Sequence, residues 1–253
     1  MKQEVTEEVQ QKVQEIEQEL RTYIDPVKRD YLPRFFKTGK GQYGEGDQFL
    51  GIVVPNTRIV AKRHKDVSFS VMAELLQSPW HECRLCALLM LVEHFKKVDA
   101  EERKSIYDFY LSQTARINNW DLVDLSAPGI VGEYLKDKSR EDLYRLADSP
   151  LLWERRIAVV STYTLITNKD FTDILQLSAH YLQADERLRA TGVLPLHDLM
   201  QKALGWMLRE VGKRDKPVLV RFLEEYARTM PRTMLRYAIE KFPEAERQMF
   251  MKR

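Results

Sequence analysis

"SPWHECRLCALLML" (residues 78–91) and "SPLLWERRIAVVSTY" (residues 149–163) open alike and continue alike. Each starts on Ser-Pro, then places Glu, Arg and a small residue ahead of an apolar run. Ser-Pro reads as a helix start, with serine as the cap and proline in the first turn. In the first stretch Leu85, Leu88, Leu89 and Val92 fall on one helical face. Cys86, Met90 and Leu91 widen that face until the helix is covered on most sides.

The same period recurs along the chain. Val5, Val9, Val13, Ile16 and Leu20 make a narrow apolar stripe, expected to cap the helices that follow. Residues 26–37 read as a second helix interrupted by Pro33, and "NTRIVAKRH" (56–64) as a short basic one. "AEERKSIYDFYLSQTARI" (100–117) is a further helix, as are 129–137, 140–147, 151–166, 170–182, 196–211, 216–228 and 232–241. No segment reads as a strand. Arg84 and Arg156 lie 72 residues apart, which leaves room for two helical hairpins of about 36 residues each. The expected fold is all-α, a curved α-solenoid of HEAT-like hairpins in one domain over 1–253. Residues 1–37 form capping helices, 38–51 a glycine-rich loop and 52–253 the repeats.

Composition agrees with a packed soluble domain: 44% of the 253 residues are hydrophobic and 31% charged. The net charge of +2 does not by itself imply nucleic acid, but its distribution is uneven. Residues 201–221 hold a local +4 and residues 1–22 a local −3, which would give a helical array one face attractive to a polyanion. Five of the ten glycines fall in "KTGKGQYGEGDQFLG" (37–51), but no Gly-Lys-Ser/Thr follows and no buried strand precedes, so a nucleotide loop is not expected. Cys83 and Cys86 form a C-x-x-C without a second ligand pair or a βαβ setting. They read as buried thiols in a reducing cytosol, with no metal site. The acidic N-terminus is unlike a signal peptide and no apolar run is long enough to span a membrane, so a cytoplasmic location is expected.

Three segments carry candidate chemistry: "NNWDLVD" (118–124), "LLWERRIAVV" (151–160) and "KALGWMLREV" (202–211). Trp120 and Asp124, four apart, share a helical face. Trp153 pairs with Arg156 in the same way, and Trp206 with Lys202 and Arg209. Lys and Arg suit phosphates, aromatic rings suit sugars and bases, and a carboxylate among them calls for a separate reason. Each residue also has a structural reading: a tryptophan as core, Asp124 as a helix cap, Arg156 as the partner of Glu154.

"FLGI" (49–52), "WDLVDLSAP" (120–128), "WERRIAV" (153–159) and "KALGWMLRE" (202–210) together resemble the DNA alkylation-repair glycosylases of the AlkD type, in order and over most of the chain. The resemblance implies a HEAT-like stack that holds duplex DNA. It implies hydrolysis of the N-glycosidic bond of N3- and N7-alkylated purines, 3-methyladenine and 7-methylguanine among them, without a pocket for the base. In that pattern Asp124 is the catalytic carboxylate, Trp120 and Trp206 contact the sugar, and Arg156 lies near the backbone at the lesion. Lys202 and Arg209, read from their spacing to Trp206, are the accompanying DNA-binding cations. No cofactor and no metal is implied, and the protein is expected to act as a monomer. Two departures stand out: the family's aromatic ahead of "FLG" has Tyr43 as its nearest equivalent, and the stretch before Trp206 is long and carries Gly192 and Pro195. A non-catalytic HEAT-like DNA-binding module and a protein-interaction scaffold are the competing readings.

Overall fold

The computed structural model describes residues 6–190 and 196–252, and among them helices are the only extended secondary structure. Val5, Gly192 and Pro195 lie outside the described residues. The chain divides into two compact units, residues 1–130 and 131–253.

In the first unit α1 (Glu7–Arg21) starts at Thr6, whose hydroxyl accepts from the Val9 amide, and buries Ile16 and Leu20 from its apolar stripe. α2 (Pro26–Phe35) is capped by Asp25, which accepts from the amides of Val27 and Lys28. Pro33 does not interrupt it: the ring forfeits one backbone bond, but its fixed φ is already helical, so the short helix runs on to Phe35. α3 (Val54–Arg63), α4 (Phe69–Gln77) and α5 (His81–Phe95) pack together, with α1 laid against them. α4 was not anticipated, although Ser68 caps it and Val71, Met72, Leu75 and Leu76 form its buried face.

α5 is the hub of the unit. All of its residues but Glu93 and His94 are buried, including both cysteines, whose thiols are free. Burial pushes the Cys83 thiol up to about 12 and the Cys86 thiol well above its ordinary value, so neither is an available thiolate. α5 does not begin at the serine. Proline holds the residue before it extended, and Ser78 instead closes a turn by accepting from the Trp80 amide, three residues ahead of the first helical residue His81. Ser149 does the same for the Leu151 amide before α10.

α6 (Ala100–Ser112) ends earlier than the sequence suggested. Thr114–Arg116 tighten into a 3-10 turn that aims the Arg116 guanidinium at the carbonyls of Leu76, Gln77 and Ser78, the open end of α4. The five-residue α7 (Trp120–Asp124) follows, and a π-helical turn at Pro128–Gly132 marks the boundary between the units.

The second unit runs through α8 (Glu133–Leu135), α9 (Glu141–Ala147), α10 (Leu152–Thr167), α11 (Thr172–Ala190), α12 (Asp198–Arg214), α13 (Lys216–Tyr226), α14 (Arg232–Ala238) and α15 (Glu244–Met251). α10 packs on α9 and α12 more than on α11, and α12 on α14 more than on α13, so the most extensive contacts join helices two apart in the chain. Gly205 on α12 lies where a side chain would strike the Met234 carbonyl at 2.5 Å, so α14 crosses α12 at backbone contact. No described helix is long and apolar enough to cross a membrane.

Candidate active site

The site in the first unit is built on α7. Asn119 is fully buried and caps the helix, its side-chain oxygen accepting from the Trp120 amide at 2.8 Å. One short turn then divides two carboxylates. Asp121 turns inward, where one oxygen accepts from the Leu122 amide and the other stands 2.8 Å from His81 Nε2. Asp124, one turn on from Trp120, stays partly exposed beside it. α7 stops where Ser126 donates to the Leu122 carbonyl, and Tyr110 from α6 holds the same hydroxyl at 2.9 Å.

Trp120 and Asp124 line a cavity of about 450 Å³. Its other walls are α2, the "FLGI" segment and the start of α5, which contribute Tyr31, Phe35, Phe49 and His81. The rings form one connected cluster. Phe36 stacks on Trp120 at 5.0 Å and on Phe49 at 4.9 Å, Phe49 stacks on His81 at 4.6 Å, and Phe35 meets Trp120 edge-on at 5.8 Å. The indole is therefore fixed on one side and open on the other.

Two buried acids hold this arrangement. The Glu82 carboxylate, on a residue only 1% exposed, accepts from the amides of Leu50, Gly51 and Ile52 at 2.8–3.0 Å. That is the physical content of "FLGI": three successive donors wrapped around one anion. Asp47 leaves the glycine-rich loop for the interior, where it receives Arg84 at 2.6 Å, His81 at 3.4 Å and the side-chain amides of Asn118 and Asn119. Burial alone would raise the Asp47 pKa, but the bonds from His81 and Asn119 and the charge of Arg84 hold it below the usual carboxylate value. Burial alone would also strip His81 of its proton. The Asp121 charge and hydrogen bond, with Asp47 adding a second bond, outweigh that and lift the imidazole to about 9. His81 is thus an imidazolium that donates to both acids at neutral pH.

Neither Asp47 nor Glu82 stood out as a functional residue in the sequence. The available signals were "FLGI" and the Glu shared by the two Ser-Pro openings. Tyr43 lies in the loop, partly exposed, and is not among the cavity's lining residues. The aromatic residues that do line it from this end of the chain are Tyr31 and Phe35.

The remaining candidates belong to the second unit. Trp206 on α12 is partly exposed and lies tilted against Tyr163, ring centres 6.1 Å apart. Arg156 is buried at 4% exposure and donates to the Leu199 carbonyl, so its guanidinium ties α10 to the start of α12. Arg84 does the matching work in the first unit through the Ser78 carbonyl and Asp47, as their shared place in the repeat suggests. Lys202 pairs with Asp198 at 2.6 Å, and Arg209 with Glu240. Lys213 and Arg214 share Glu210, and Lys216 takes Glu246. Three of the six cations in the basic stretch 201–221 are therefore matched by acids from outside that window, and two by Glu210 within it.

The chain belongs to the family of DNA alkylation repair enzymes, whose model matches residues 16–242. Comparison with curated protein sequences gives no match. Among solved structures, one described as a predicted DNA alkylation repair enzyme from Enterococcus faecalis is similar with a TM-score of 0.63. The likeness covers 87% of this chain and 97% of that one at 14% sequence identity, and it bears on the fold alone.

Proposed function

We propose that the protein is a metal-free, monofunctional DNA glycosylase that hydrolyses the N-glycosidic bond of cationic N3- and N7-alkylated purines in duplex DNA. It acts at the lesion's deoxyribose rather than by enclosing the base. The observation that carries this reading is the pairing of Asp124 with the indole of Trp120 at one aromatic cavity.

An alkylated purine is already a cation, so the C1′–N bond can break with its electron pair moving to the ring, which becomes a neutral leaving group. Positive charge then develops at C1′ and the ring oxygen of the sugar, as in glycoside cleavage. The Asp124 carboxylate stabilises that charge and orients a water. The water oxygen bonds to C1′, its proton passes to the carboxylate and then to solvent, and an abasic site remains. At 4 Å two opposite unit charges attract by about 1 kcal/mol in water and about 4 kcal/mol at an effective dielectric near 20. At about 1.4 kcal/mol per decade, that separates a few-fold effect from nearly a thousandfold one. The Trp120 indole and the rings packed on it exclude water from one side of the carboxylate. Trp206 is assigned to sugar contact, and Lys202, Arg209 and Tyr43 to the DNA backbone, as parts of the same proposal; Arg156, expected there from the sequence, is buried on the Leu199 carbonyl and would act by positioning α10.

The test is base release. Purified protein incubated with methylated duplex DNA is expected to free 7-methylguanine, and Asp124→Asn to slow that release by about two to three decades. No release by the folded wild-type protein would refute the activity. Equal rates in the two proteins would remove Asp124 from its role.

A further inference from the structure

His81 is buried, and the reaction above gives it no part, yet it lines the cavity that holds Asp124. Charged groups meet it from three elements. Asp121 on α7 stands 2.8 Å from Nε2 and Asp47 of the glycine-rich loop 3.4 Å from Nδ1, while Arg84, one turn on along α5, binds Asp47 at 2.6 Å. Phe49 stacks on the imidazole at 4.6 Å and Phe36 lies tilted against it at 5.0 Å, which fixes the ring in this setting. Glu82, the next residue, is committed to the amides of Leu50, Gly51 and Ile52, and Asp124 and Lys28 belong to the same cavity wall.

The contacts of His81 reach the reacting groups by two short routes. Asp121 directly follows Trp120 and precedes Asp124 by three residues on a helix of only five. Phe36 touches the imidazole on one side and stacks on the Trp120 indole at 5.0 Å on the other. Asp47 and Asp121 balance the imidazolium and the Arg84 guanidinium, and the imidazolium donates to both acids. A neutral imidazole has one N–H, so it serves one acid and turns a lone pair on the other. The set then carries a net negative charge, and a buried carboxylate without its cation is costly.

We propose that His81 is a positioning residue for base release: clamped between Asp121 and Asp47, it fixes α7 so that Trp120 and Asp124 meet the deoxyribose together. The role rests on the glycosylase reading for its reaction, but it concerns a group that touches neither sugar nor base. It makes the rate fall at alkaline pH. His81 loses its proton to solvent near pH 9, the clamp opens on one side, and α7 is released from its setting. A displacement of about 1 Å at reacting groups can cost about a hundredfold in rate, so even partial loosening is measurable.

The test compares the wild type with His81→Gln/Asp121→Asn, which replaces the ion pair by neutral amides and leaves Asp47 balanced by Arg84 at every pH. Single-turnover release of 7-methylguanine is followed with protein in excess, at a temperature where both proteins stay folded by circular dichroism. Dividing one rate by the other cancels whatever titrates in the DNA. The ratio of wild type to variant is expected to fall about tenfold or more between about pH 7 and 10. His81→Gln alone should be slow already at neutral pH, and adding Asp121→Asn should restore its rate, which a purely structural role would not do. A second readout needs no activity. Acrylamide quenching of the emission that Trp120→Phe removes should increase over the same pH range in the wild type and stay level in the double variant. A constant rate ratio with active wild type would overturn the proposal and leave the glycosylase reading standing. Trp120 quenching unchanged with pH would overturn it whether or not any base is released.

Discussion

His81 Nε2 stands 2.8 Å from an Asp121 carboxylate oxygen, and the two side chains are 2% and 7% exposed. The pair joins the start of α5 to α7 and so sets the place of Trp120 and Asp124. Its neighbours are the acid of Asp47 and the guanidinium of Arg84, with Phe36 and Phe49 against the imidazole ring.

The pair makes stability depend on alkaline pH. The folded pKa of His81, about 9, lies above the roughly 6.5 of an unfolded histidine. A group whose folded pKa is raised contributes stability that is complete below the unfolded pKa and lost as pH rises through the folded one. Urea unfolding is therefore expected to show stability declining between about pH 6.5 and 9. Against His81→Gln, the difference should shrink across that window. A constant difference would show that His81 does not hold an extra proton in the folded state.

The two acids of α7 should separate by phenotype. Asp121→Asn leaves a buried imidazolium short of its counter-charge and is expected to cost about 3 kcal/mol or more of folding stability. Asp124→Asn, at a partly exposed position, should change stability by under about 1 kcal/mol while suppressing base release. Denaturant titration alongside the release assay distinguishes them, and a reversed pattern would exchange their roles.

Removing Glu82 strips three amides of their acceptor at once. Glu82→Ala is expected to destabilise the protein by about 3 kcal/mol or more. Hydrogen exchange at Leu50, Gly51 and Ile52 should accelerate before that of α5, because those amides lose their only side-chain anchor. Uniform acceleration over the whole unit would mean that the clasp is not a local element.

Gly51 sits at φ +91°, and a Cβ there would lie 2.4 Å from the Asp25 carbonyl and 2.6 Å from the Arg29 amide. Gly51→Ala combines a left-handed conformation with a clash against the start of α2. A loss above about 2 kcal/mol is expected in thermal or urea unfolding. Gly41→Ala, at φ +77° but with open space around it, should cost only about 1 kcal/mol.

Asp47→Ala leaves Arg84 and His81 buried without their shared acid, and breaking such a pair costs about 3–5 kcal/mol. Because the folded Asp47 pKa is lowered, the stability it contributes is present above the ordinary carboxylate pKa and lost as pH falls through the folded value. The gap between wild type and Asp47→Ala should therefore narrow on acidification below about pH 4 in urea unfolding curves. A gap independent of pH would assign the loss to packing.

The helical class, the burial of α5 and the shared face of Trp120 and Asp124 were all legible in the chain, because each rests on a local rule. A period of 3.6 residues sets which neighbours meet, and a run of apolar residues on every face has to be covered. The opposite settings of Asp121 and Asp124 do not follow from that rule, because residues three apart are neighbours on one helix face; the contact of Asp121 with His81 decides them. Local rules also misled where a nearby group competed. Ser78 and Ser149 satisfy turns before their helices rather than capping them, and Pro33 fits inside α2 because its φ already matches.

What only the tertiary structure decided was which charges meet. Asp47 and Glu82 are distant in sequence from the amides and cations they hold, and no periodicity links a loop aspartate to an arginine 37 residues on. The surplus of positive charge at 201–221 is offset by Asp198, Glu240 and Glu246, which a window of sequence leaves out. Among the described residues, Lys28, Arg34 and Lys37 on and just after α2 have no ion pair, and they stand beside an exposed aromatic stripe. Sequence spacing thus determined the helices and which side chains share a face. Burial and Coulomb pairing act across space rather than along the chain, so the fold alone determined which charged groups were neutralised and which remain available to a substrate.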